Sequence, residues 1–98
     1  MDTNVIENGD SAEIILKGRI DTTNYKEAEA VFTEVGNRVD HVTLDLAELN
    51  YISSAGIRAL RTLYMILYKK GGTLKSKNVG KYVREVLEMT GLTGLLGL

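Results

Sequence analysis

Between residues 41 and 77 the hydrophobic period of the chain changes twice. In "HVTLDLAEL", His41 to Leu49, the apolar Val42, Leu44 and Leu46 alternate with Thr43 and Asp45, the period of two that lays one face of a strand on a core. From Ser54 to Lys70, Ile57, Leu60, Leu63, Tyr64 and Leu67 recur three and four apart, which is the stripe of an amphipathic helix. Gly71-Gly72 then stops that helix with residues that tolerate the left-handed C-terminal conformation. "TLKSK" follows as a short polar strand, suited to a sheet edge because Lys75 and Lys77 discourage pairing with another chain. Strand, helix and strand in succession predict a parallel crossover, which restricts the chain to folds in which helices lie on a sheet.

The flanking segments extend the same plan. "NVIE" and "AEIILKGRI", Ala12 to Ile20, read as two antiparallel strands joined by the turn residues Asn8, Gly9 and Asp10. Tyr25, Ala28, Val31, Phe32 and Val35 mark a helix over Thr23–Val35, with Thr22 or Thr23 available as its cap. A third helix is predicted from about Val79 to Met89, with Val79, Tyr82, Val83, Val86 and Leu87 on its apolar side and Gly91 after it. The apolar, Gly-rich tail "LTGLLGL" is expected to dock on the core as a short strand or irregular cover. The expected architecture is α/β: a mixed four- to five-stranded sheet with an N-terminal antiparallel hairpin, parallel crossovers and about three helices. At 98 residues with no linker or repeat, it forms one domain over residues 1–98.

Composition removes several kinds of function. Lys and Arg number 12 against 13 Asp and Glu, so nothing in the overall charge favours nucleic acid as a partner. Cysteine is absent, which excludes a thiol nucleophile and a disulfide framework and fits a reducing, cytoplasmic location. The N-terminus lacks the basic flank and apolar run of a secretory signal, and no apolar run approaches membrane-spanning length. The one histidine, His41, opens a strand, leaving no His-based catalytic or metal constellation. Glu27, Glu29 and Glu34 read as a solvated helix face, and Asp45 with Glu48 would need a pocket to act as an acid and base pair. Neither an enzymatic activity, a metal nor a cofactor is expected.

The chemistry that remains is in "NYISSAGIRAL", Asn50 to Leu60, where Ser53 and Ser54 precede the second helix. A serine there is first a helix cap, since its hydroxyl accepts a hydrogen bond from an unpaired first-turn N–H. The same helix end, with free N–H groups and a partial positive charge, can hold a phosphoryl group. The loop follows a strand and is expected at the exposed C-terminal rim of the sheet, with small Ala55 and Gly56 leaving room for a partner enzyme. Beyond the core stripe the second helix carries Arg58, Arg61, Thr62, Met65 and Tyr68. Arg, Met and Tyr are enriched in interfaces, so this row is either a docking surface or a set of side chains tucked against a neighbouring element.

Taken together, these segments resemble the STAS family, the domain shared by bacterial anti-sigma factor antagonists and the cytoplasmic ends of sulfate transporters. "GRID" at Gly18 to Asp21 is similar to the family's Gly-x-Leu/Ile-Asp after the second strand. "LDLAELNYISSAGIRAL" is similar to its strand, loop and helix around the regulatory serine, and "GGTL" and "VREVLEMTGL" resemble its last strand and helix. In the sporulation and stress-response antagonists the motif is Asp-Ser-Ser/Thr-Gly, and the first hydroxyl residue after the Asp is phosphorylated. The resemblance places that acceptor at Ser54, with Ala55 at the second hydroxyl position, Gly56 at the glycine and Asp21 at the acid near the acceptor. Ser53 stands in place of the motif's Asp. The resemblance further implies a partner switch: binding an ATP-dependent serine kinase that is also an anti-sigma factor, release on phosphorylation, and resetting by a PP2C-type phosphatase, the protein itself being a monomer or weak dimer. The docking row is then Arg58, Arg61, Met65 and Tyr68. Because Ser53 lacks the charge of Asp and the Arg58, Arg61, Met65 and Tyr68 row could serve docking alone, a constitutive STAS adaptor subunit that binds a transporter ATPase or other partner without phosphorylation is the alternative.

Overall fold

The computed structural model of the protein describes residues 1–92, 94 and 97. Its elements run β1 (Asp2–Asn8), β2 (Ser11–Ile20), α1 (Tyr25–Arg38), β3 (His41–Ile52), α2 (Ser54–Lys69), β4 (Thr73–Lys77) and α3 (Lys81–Met89). The described residues form one four-stranded sheet in the order β1-β2-β3-β4, in which β1 and β2 are antiparallel and β2, β3 and β4 are parallel. The expected mixed sheet, hairpin, crossovers and three helices are all present. Asn8 pairs with Ser11, so the hairpin turn has only Gly9 and Asp10 at its centre, and Gly9 takes the positive φ of 63° that such a tight connection uses.

Alternation decides which face of the sheet is covered. Ala12, Ile14 and Leu16 on β2, Val42, Leu44 and Leu46 on β3 and Leu74 on β4 are buried in one cluster with Phe32 and Val35 of α1 and Leu60, Leu63 and Leu67 of α2. On the opposite face Lys77 pairs with Glu13, and Lys17 lies 3.4 Å from Glu48. Those charges account for a polar face without invoking a site. The two helices meet closely at Gly36, where a Cβ would stand 3.1 Å from Ile66 Cγ2 and Leu63 Cδ1.

At its C-terminal end α2 closes in a Schellman turn: Gly71 N–H donates to Tyr68 O, Gly72 N–H donates to Leu67 O at 2.8 Å, and Gly71 has φ 75°. The two glycines differ in purpose. Gly71 supplies the left-handed turn, whereas Gly72 lies against the Asp40 carbonyl and admits no side chain.

Several boundaries differ from the sequence reading, most of them by one or two residues. Helix α1 begins at Tyr25, and neither Thr22 nor Thr23 caps it, because Thr23 is engaged by the Asp21 carboxylate; the helix also continues past Val35 to Arg38, where Arg38 pairs with Glu7 and with Glu34. Strand β3 continues from Leu49 to Ile52 through irregular register, so its alternation is lost after Leu46. Helix α3 starts at Lys81, after Asn78 adopts φ 59°, and Tyr82 is half exposed instead of lying with Val83 and Leu87 in the core. In the tail, Leu92 is buried, but the expected docking of "LTGLLGL" rests mainly on residues outside the described set.

Candidate functional site

Parallel β2 and β3 end side by side, with Ile20 paired to Ile52, and Ser53 N–H donates to Ile20 O at 2.9 Å. The two strand-to-helix turns, Asp21–Asn24 and Ser53–Ser54, therefore share one rim. This is the rim at the carboxyl ends of the parallel strands, where α/β proteins commonly build their sites.

Ser53 and Ser54 have different surroundings there. Ser53, in extended conformation, is the N-cap of α2: its Oγ accepts from Gly56 N–H at 3.2 Å, and its carbonyl accepts from Ile57 N–H at 2.9 Å. Ser54 is the first helical residue and is exposed, with no side-chain hydrogen bond to any described residue. The N–H groups of Ser54 and Ala55 have no acceptor within the helix, as helix geometry requires of a first turn. Ser53→Ala should thus cost about 1 kcal/mol by removing the cap. Thermal unfolding would register it as a drop of roughly 4–8 °C.

Ala55 and Gly56 do not border an approach route to Ser54; both are buried. A Cβ on Gly56 would stand 2.7 Å from Ile52 Cγ1 and 2.8 Å from Ile20 Cγ2. Their small size lets α2 begin directly on the ends of β2 and β3, and it is this contact that fixes the height of Ser54 above the rim.

Asp21 organises the neighbouring turn. One carboxylate oxygen accepts from Thr23 N–H at 2.9 Å and from Thr23 Oγ–H at 2.5 Å, while the other accepts from Arg19 Nε at 3.2 Å. Asn24 closes the loop, accepting from Asp21 N–H and donating to Arg19 O, both at 2.9 Å. The Thr23 hydroxyl, the Thr23 N–H and then the Arg19 guanidinium lower the Asp21 carboxyl from 3.8 to about 2. Because the folded value lies below the ordinary one, the stability this group contributes is present above about pH 3.8 and is lost as pH falls toward 2. A carboxylate-detected NMR titration should give Asp21 a midpoint near 2, and Thr23→Val should move it back toward 3.8.

Arg19 was not legible as a site residue from the sequence, although it lies two residues before Asp21 in "GRID". Its guanidinium sits 4.5 Å from the centre of the Tyr51 ring, and Tyr51 stacks on Tyr82 of α3 with ring centres 6.3 Å apart. This chain of contacts explains why Tyr82 leaves the core stripe. It also ties α3 to the rim, beyond the stretch of β3 that β4 pairs.

The outward row on α2 divides in two. Arg58, Arg61 and Met65 line a shallow groove with Thr62, Ile66 and Lys69. Tyr68 lies elsewhere: it stacks on Tyr64 at 5.7 Å and lines a second groove beside β4. Tyr68 is only about 20° around the helix from Arg61, so its stacking on Tyr64, and not helical angle, sets it apart. Arg58 and Arg61 form no ion pair with any described residue.

The other acidic and basic candidates have structural partners. His41 Nδ1 is 2.8 Å from Thr73 Oγ1, and Asp45 accepts from Ala47 N–H and Asn78 Nδ2, which lower its carboxyl below the ordinary value. Among the described residues no three His, Asp or Glu side chains are placed to hold a metal, and no helix is long and apolar enough to cross a membrane.

Comparison with known proteins places this geometry in context. Residues 4–97 match the family model described as "Mlab, STAS domain". BtrV of Bordetella bronchiseptica, named for an anti-sigma factor antagonist role, is 34% identical over 84 residues, covering 82% of this chain and 70% of its own. A Thermotoga maritima protein, TM1081, also named for that role, superposes with a TM-score of 0.86 at 18% identity, covering 96% of this chain and 82% of the other. The phosphorylated form of the Bacillus cell fate determinant SpoIIAA superposes with a TM-score of 0.74 at 17% identity, covering 97% and 88%.

Proposed function

Because this chain belongs to the STAS domain family, we propose that it is an anti-sigma factor antagonist working by a partner switch on Ser54. In the unphosphorylated state it binds an ATP-dependent serine kinase that is also the anti-sigma factor. In the phosphorylated state it is released, and a PP2C-type phosphatase returns it to the first state. The protein acts by binding, and the catalysis belongs to its partners.

The observation that carries this reading is the division of labour between the two serines. Ser53 caps the helix, so Ser54 is free to be modified without loss of the cap. In the transfer, Ser54 Oγ forms a bond to the γ-phosphorus of ATP, the bond to the ADP oxygen breaks, and the hydroxyl proton passes to a base of the kinase. The product places roughly −1.5 to −2 charges beside a helix N-terminus, which favours them, and at the edge of a docking surface, which does not. Among the described residues the groove along α2 is lined by Arg58, Arg61 and Lys69 with Thr62, Met65 and Ile66, and by no acidic side chain, so the surface suited to it is acidic and partly apolar. SpoIIAA, solved in unphosphorylated and phosphorylated forms, lends the reading support by analogy of fold.

The test is incubation with ATP and an anti-sigma serine kinase from the same genome. Intact mass and fragmentation should find one phosphoryl group, on Ser54, and Ser54→Ala should find none. A constitutive adaptor that binds a transporter ATPase is the second reading, favoured by the uncharged Ser53 beside the acceptor. For that reading no kinase modifies Ser54, and Ser54→Asp leaves partner binding unchanged.

A further inference from the structure

Arg58 is one helical turn after Ser54, on the same exposed side of α2. Residues at i and i+4 are neighbours on a helix, and long side chains lean toward the N-terminus, so the guanidinium is within reach of the turn that begins at Ser54. An anion placed N-terminal to a cation at this spacing is the favourable order. Between the two positions Ala55, Gly56 and Ile57 face inward, leaving no side chain in the way. Arg58 makes no ion pair with any described residue, and Glu29 of α1, which does not line the groove, accepts from the Thr62 hydroxyl. Ser53 brings no charge to compete for it.

We infer that Arg58 is the internal receptor of the Ser54 phosphoryl group: once the serine is modified, the guanidinium turns from the α2 groove to the phosphate. The groove loses one of its three cations in the same event, leaving Arg61 and Lys69. Release of an acidic partner then has two sources, the added negative charge at the groove's head and the withdrawn positive charge inside it. The pairing is charge-assisted and suits the planar fork of arginine.

This inference rests on Ser54 being the acceptor, so its test supplies the phosphoserine without a kinase, by genetic encoding at position 54. The phosphoserine titration is followed by phosphorus NMR in the otherwise natural chain, in Arg58→Gln and in Arg61→Gln, with circular dichroism to verify that each is folded. Both arginines are exposed, so folding is expected to survive. Asp21 and the helix end act on the phosphate equally in all three proteins. The phosphate of the natural chain should titrate about half a pH unit below that of Arg58→Gln, with Arg61→Gln matching the natural chain. Equal midpoints in the natural chain and Arg58→Gln, or equal shifts from both substitutions, would overturn the inference. Failure of a kinase to modify Ser54 would instead strike the reading beneath it, and is measured separately.

Discussion

Gly56→Val is expected to destabilise the protein by about 2–3 kcal/mol, the cost of forcing extra atoms into a packed contact. In thermal unfolding that corresponds to a fall of roughly 10–20 °C. Two effects oppose each other at this position. Replacing a helical glycine removes backbone freedom from the unfolded chain and by itself favours the helix, but a β-branched residue recovers only about half of the ~1 kcal/mol that alanine would. Against that, the first atom of the new side chain would lie 2.7 Å from Ile52 Cγ1, 2.8 Å from Ile20 Cγ2 and 3.1 Å from Ile20 Cβ. Ile20 is wholly buried and Ile52 nearly so, so neither can move aside without opening the packing beneath it. Steric cost wins, and α2 must lift from the strand ends. That displacement moves Ser53 and Ser54 with it, so calorimetry should show lost stability and the Ser54 region should show shifted backbone amide resonances.

Gly72→Ala should cost about 3 kcal/mol, at the upper end of what overpacking usually costs, because its obstacle is backbone. The new methyl would stand 2.1 Å from the Asp40 carbonyl oxygen, which already accepts from Thr73 N–H at 2.9 Å. Relief requires β4 to separate from the start of β3 and the Schellman turn to open. The damage is confined to the far end of α2, sixteen residues from Gly56. Amide resonances around Ser53 and Ser54 should stay in place while the melting temperature falls, and this contrast with Gly56→Val separates loss of stability from loss of site geometry.

Much of this fold could be read from period alone. Val42, Leu44 and Leu46 followed by Ile57, Leu60, Leu63 and Leu67 are enough to specify a strand that feeds a helix on the same core. Lys75 and Lys77 marked β4 as an edge, and among the described residues it is the outer strand of the sheet. What escaped the sequence was fixed by contacts between distant residues. Thr23 looked like a cap and is instead held by Asp21; Tyr82 fitted a core stripe and instead stacks on Tyr51. Alternation in β3 failed after Leu46 because the register with β2 shifts there. In the site, the placing of Ser53 and Ser54 at the start of α2 was legible, whereas the assignment of the cap to Ser53, the inward use of Ala55 and Gly56, and the aromatic and cationic chain through Arg19 depended on three-dimensional neighbours. The groove was half legible: Arg58, Arg61 and Met65 line it, but Tyr68 stacks on Tyr64 and lines a different one.

The central claim is that one phosphoryl group on Ser54 changes what the protein binds while leaving its fold intact. Titration calorimetry against the anti-sigma serine kinase, with protein unmodified or carrying encoded phosphoserine at position 54, measures it directly. The account predicts that affinity falls at least about thirtyfold, equivalent to about 2 kcal/mol, while far-ultraviolet circular dichroism is unchanged and the melting temperature is not lowered. Equal affinity of the two forms, with both folded, would contradict it.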